Sequence, residues 1–111
     1  MINPQKIFTF TPGATSWKVP KDLPYFEGHF PDNPILPAVA ILDMIQQYLI
    51  HQDPSLKGSF LTIKSAKFTE IVRPEDTLTI NVNFDSASKF WTVNVQNQNE
   101  VVVCKTVLQI I

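Results

Sequence analysis

The spacing of apolar and polar side chains changes character along this chain, and the changes divide it into recognisable stretches. Residues 5–10 (QKIFTF) read as a short strand, stopped by the turn Thr11-Pro12-Gly13. Thr15 to Val19 reads as a second strand. Residues 20–37 then hold five of the nine prolines: Pro20, Pro24, Pro31, Pro34 and Pro37. Each locks its own φ and lacks a backbone donor, so a rigid, irregular loop is expected there.

Residues 37–51 (PAVAILDMIQQYLIH) predict a helix. Pro37 suits its first position, where the missing N–H would have had no partner anyway, and Asp53-Pro54 supplies the stop. Val39, Ala40, Ile41, Leu42, Met44, Ile45, Leu49 and Ile50 leave this helix apolar on nearly every side, which predicts burial all round.

The remainder predicts antiparallel strands. In Phe60 to Ile71 the apolar phase shifts from Leu61/Ile63 to Ala66/Phe68, which places a bulge near Ser65. After the turn Arg73-Pro74-Glu75-Asp76, residues Thr77 to Phe84 put Leu78, Ile80, Val82 and Phe84 on one face. Phe90 to Val95 and Val101 to Ile111 complete a meander through a turn at Gln96–Asn99. One long central helix with four to six antiparallel strands predicts an α+β fold in which a curved sheet wraps the helix.

Composition narrows the functional classes. The 111 residues match one domain, and no repeat, linker or low-complexity segment divides residues 1–111. Hydrophobic residues make up 44% and charged residues 17%. The charged share is below the usual level of about 25%, which suits a chain that hides surface in an oligomer. Net charge is −1 and the basic residues are scattered, so nucleic-acid binding has no footprint. The apolar run Ile35 to Leu42 is broken by Pro37 and too short to span a bilayer, and MINPQKIFTF lacks the pattern of a signal peptide. A soluble cytoplasmic domain is expected.

Candidate chemistry concentrates in Tyr25 to Tyr48, YFEGHFPDNPILPAVAILDMIQQY. Asp43, Gln46 and Gln47 share one helix face among apolar neighbours. A carboxylate in such surroundings is desolvated, which favours its protonated form, and Gln47 is placed to hydrogen-bond it. The plain alternative is a solvated aspartate on a helix surface. His29 follows Gly28 and precedes Phe30-Pro31, so a stiff loop holds an imidazole, a group suited to general-base work at neutral pH. A solvent-exposed loop histidine is its plain alternative. His51 sits at a helix C-terminus, where a cation suits the dipole, and Cys104 reads as a small core side chain. The single cysteine and two histidines give no metal-ligand spacing, and no phosphate loop, dinucleotide fingerprint or nucleophile elbow is present.

Gly28-His29-Phe30-Pro31, Pro34, Leu36-Pro37-Ala38-Val39 and Leu42-Asp43 with Gln47 resemble the hotdog-fold 3-hydroxyacyl-[acyl carrier protein] dehydratases of fatty acid synthesis, whose pattern is GHFPxxPxxPGVxxx(E/D)xxxQ. The stretch KSAKFTEIVRPEDTLTI is similar to the strand and turn that follow the helix in that family. The resemblance implies a hotdog fold and a hydro-lyase that needs no cofactor. It implies that His29 takes the C2 proton of the thioester and Asp43 protonates the departing hydroxyl. The N–H of Ala38 would polarise the thioester carbonyl, with Gly28, Phe30, Pro37 and Gln47 lining the substrate site. It implies an acyl carrier protein as partner, and a homodimer or higher oligomer whose sites are shared between subunits. Lys64, Lys67, Arg73 and Lys89 are the cations available to meet an acidic carrier.

Three departures from the pattern stand out. Ala38 replaces a glycine, which keeps the donor and adds a methyl. The acid is Asp rather than the Glu of the long-chain branch. Few residues precede His29, a shortness similar to dehydratases of aryl-polyene and related lipid pathways. Two other functions remain open on these residues: a hotdog thioesterase in which Asp43 activates water, and a non-catalytic subunit that supports an active homologue.

Overall fold

The computed structural model describes residues 7–26, 34–59 and 61–110. Among these, five strands form one antiparallel sheet: β1 (Ser16–Lys18), β2 (Leu61–Phe68), β3 (Thr77–Asp85), β4 (Phe90–Gln96) and β5 (Val102–Ile110), in the order β1-β3-β4-β5-β2. The helix α1 (Ala38–Gln52) covers one face, and its buried side chains join those of the sheet in one core. No helix among the described residues is long and apolar enough to cross a membrane.

Local chemistry sets the ends of α1. Pro37 is extended, with φ −68° and ψ 156°, so it precedes the first helical turn instead of occupying it as expected. At the far end Asp53 leaves the helix, and its carboxylate accepts from the Ser55 N–H and hydroxyl, which starts the short 3₁₀ turn Pro54–Leu56. The buried helix residues are Ala40, Ile41, Met44, Ile45, Tyr48 and Leu49, a single stripe at three- and four-residue spacing. The expected burial on every side is therefore corrected. Leu42, Asp43, Gln46, Gln47 and Ile50 are half-buried, and Val39 is 60% exposed.

The strands follow the sequence pattern closely. The β2–β5 register slips between Ile63 and Ser65, at the expected bulge, and β2 ends at Phe68, sooner than expected. On β3, Leu78 and Ile80 are buried in the core that the helix shares, whereas Val82 and Phe84, in the same phase, lie in the exposed part of the strand. Phe84 packs against Trp91 of β4 with ring centroids 4.7 Å apart.

Among the expected strand residues at the beginning of the chain, 7–10 enter no strand pairing. Their aromatic side chains serve as plugs. Phe8 is buried against Trp17 (5.2 Å between centroids) and Tyr25 (5.8 Å), and Phe10 meets Tyr48 edge-on at 5.3 Å. Such tilted and offset pairs are favoured by the ring quadrupoles.

Candidate active site

Two backbone ties fix the segments around the helix. The N–H of Leu36 donates to the Val72 carbonyl at 2.8 Å, which anchors the residues entering α1 against the segment after β2. The 3₁₀ turn Pro24–Phe26 holds Tyr25 against Phe8, and the Phe26 N–H donates to the Leu23 carbonyl at 3.0 Å.

Ala38 opens the helix, so its N–H belongs to the first turn, whose donors have no acceptor within the helix. Asp43 lies five residues on, about 7–8 Å along the axis at 1.5 Å per residue. Its carboxylate is half-buried and does not stand unpartnered among apolar groups. The Tyr25 hydroxyl donates to Asp43 Oδ2 at 2.8 Å across eighteen positions of sequence. The expected partner, Gln47, makes no hydrogen bond to Asp43 among the described residues. Gln47 instead faces an open groove of about 360 Å³ with Phe8, Phe10, Ile50, His51 and Lys57.

Tyr25 is only 7% exposed. Burial pushes its phenol well above the ordinary tyrosine value of 10.0, and the hydrogen bond to Asp43 and that group's charge act in the same direction. It therefore stays a protonated donor across the physiological range. Sequence reading passed over this residue. The available signal was a tyrosine three residues ahead of the Gly28-His29-Phe30-Pro31 motif.

The structure brings Ala38, Asp43 and Gln47 onto one element. Gly28, His29 and Phe30 lie outside the described residues. His51 packs its ring on Phe10 at 5.6 Å, in the last turn of α1. Cys104 is buried, as expected of a core side chain. Its Sγ lies 3.0 Å from Thr106 Oγ1, and burial raises its thiol above the ordinary value of 9.0.

The model of the family described as ApeI-like (ApeI dehydratase) matches residues 12–106. A 3-hydroxyacyl-[acyl-carrier-protein] dehydratase FabZ of Caldanaerobacter subterraneus subsp. tengcongensis is 38% identical over 69 residues, covering 57% of this chain and 49% of the relative. The chain thus spans about half the length of the dehydratase relatives it matches. Among solved structures, the dehydratase heterocomplex ApeI:P from Xenorhabdus doucetiae aligns with a TM-score of 0.71 at 23% identity, over 90% of this chain and 91% of that one. An uncharacterized protein from Erwinia carotovora subsp. atroseptica aligns with a TM-score of 0.74 at 24% identity, over 86% and 79%. These likenesses establish the hotdog fold.

Proposed function

Because the chain belongs to the ApeI-like dehydratase family, we propose that it removes water from 3-hydroxyacyl thioesters carried on an acyl carrier protein, in fatty acid or polyene synthesis. The observation that carries the reading is a half-buried aspartate held by a buried tyrosine on the helix that Ala38 opens. His29 accepts the C2 proton. The electron pair of that C–H bond forms the C2–C3 double bond, the C3–O bond breaks, and the hydroxyl leaves as water with the proton of Asp43. The Ala38 N–H, at the positive end of the helix, stabilises charge on the thioester oxygen as it develops. Gly28, Phe30, Pro37 and Gln47 form the walls of this site. The proton then on His29 returns to Asp43 through solvent, which resets both groups.

The shared site of the oligomer is part of the same proposal. Among the described residues β2 stands at an edge of the sheet, and its Ile63 and Phe68 are exposed, as is Ile71 beyond its end. Exposed apolar side chains on an edge strand suit a second copy of the chain. In that assembly His29 of one subunit works with Asp43 of the other. A cytoplasmic location belongs to this reading too, since the carrier-bound substrate must be met there.

The test is incubation with a 3-hydroxyacyl carrier protein followed by the mass of the acyl group. Loss of one water with the thioester intact, abolished in His29→Ala, supports the dehydratase. Release of free acid and carrier thiol overturns it in favour of a thioesterase. No change in either overturns independent catalysis in favour of a supporting subunit.

A further inference from the structure

Asp43 has one side-chain hydrogen-bond partner among the described residues, and it comes from the turn just ahead of the Gly28-His29 motif. The Tyr25 ring is fixed independently of its hydroxyl, lying 29° from coplanar with Phe8 at 5.8 Å. The hydroxyl therefore reaches Asp43 from a rigid base. An aspartate rotates freely about its last torsion, where the energy wells are broad and two-fold, so one helical residue alone does not fix where its two oxygens point. The bond to Oδ2 removes that freedom and leaves Oδ1 to hold the transferable proton.

We propose, resting on the dehydratase reading above, that Tyr25 is a positioning residue that aims the Asp43 carboxyl at the departing hydroxyl of the substrate. Its contribution is orientation. A small misplacement of an acid relative to its target lowers the rate steeply, while substrate affinity depends on other contacts.

The experiment compares the parent chain with Tyr25→Phe, Asp43→Asn and the double variant, using the 3-hydroxyacyl carrier protein assay. Tyr25→Phe keeps the ring and its stack on Phe8, so its circular dichroism spectrum matches that of the parent. The expected result is a kcat lowered about 10- to 100-fold with KM changed less than threefold. In the Asp43→Asn background, which retains an acceptor oxygen without a transferable proton, Tyr25→Phe lowers the residual rate less than twofold. Equal kcat in parent and Tyr25→Phe overturns the inference alone, as does a rise confined to KM. Full multiplication of the two single effects also overturns it, because Tyr25 would then act independently of Asp43. A parent that leaves the acyl mass unchanged overturns the dehydratase reading and this inference with it.

Discussion

Lys67 of β2 and Lys105 of β5 stand directly opposite one another in the antiparallel ladder, both on the exposed side of the sheet. Like charges facing each other across strands are destabilising by a few tenths of a kcal/mol. Lys105→Glu turns the repulsion into an attraction, and the expected gain is about 0.5–1 kcal/mol, or a rise of a few degrees in the thermal midpoint. The gain shrinks in about 1 M salt, where the screening length is roughly 3 Å. A thermal melt that is unchanged at low salt would refute the repulsion.

Leu78 and Val82 share one face of β3, yet one lies in the core and the other in the exposed part of the strand. Leu78→Ala opens a cavity that the surroundings refill only partly, at a cost of about 2–5 kcal/mol. Val82→Ala removes a methylated side chain that water already touches and costs under about 1 kcal/mol. Urea unfolding of the two variants tests whether the helix marks the boundary of the core, and similar losses would contradict it.

Tyr25, Tyr48 and Cys104 all titrate above their ordinary values in the folded chain, in each case chiefly because burial disfavours the charged form. Each is neutral when protonated, so the folded state keeps protons that the unfolded state releases. Their contribution to stability is complete below the ordinary values of 9.0 for the thiol and 10.0 for the phenols, and it is lost as pH rises from those values through the higher ones of the folded state. The urea midpoint should fall as pH rises above about 9, with a shallower slope in Tyr25→Phe. A flat profile in the parent chain would show that these groups do not contribute.

Asp43→Asn should fold as well as the parent chain, because a neutral amide costs less to bury than a carboxylate and still accepts from Tyr25. It should lose about 10²- to 10⁴-fold in kcat, the usual worth of general acid–base catalysis. Steady-state kinetics with a matched thermal melt checks both parts, and retained turnover removes Asp43 from the chemistry.

Much of the architecture was legible because local signals carry it. The phase shift around Ser65 marks the bulge, Asp53-Pro54 ends the helix, and the strict alternation of Leu78, Ile80, Val82 and Phe84 defines a strand face. What was misread depended on distant partners. The aromatic residues of 7–10 resemble a strand in composition but are spent on stacking against Trp17, Tyr25 and Tyr48. Apolar content around the helix did not distinguish its core-facing stripe from the half-open side that carries Asp43. Tyr25 and Asp43 meet across eighteen residues, and no periodicity records such a contact.

The strand order also dictates a timetable for synthesis. β2 is made before β3 and β4, but its ladder partner within the sheet is β5, which follows both of them in the chain. Until residues 102–110 emerge, Ile63 and Phe68 lie on a strand without that ladder partner, the condition under which nascent strands recruit the wrong neighbour. Non-local pairing of this sort also slows the final closure. The polar Lys64, Ser65 and Lys67 within that strand therefore guard the half-made chain as well as decorating the finished one.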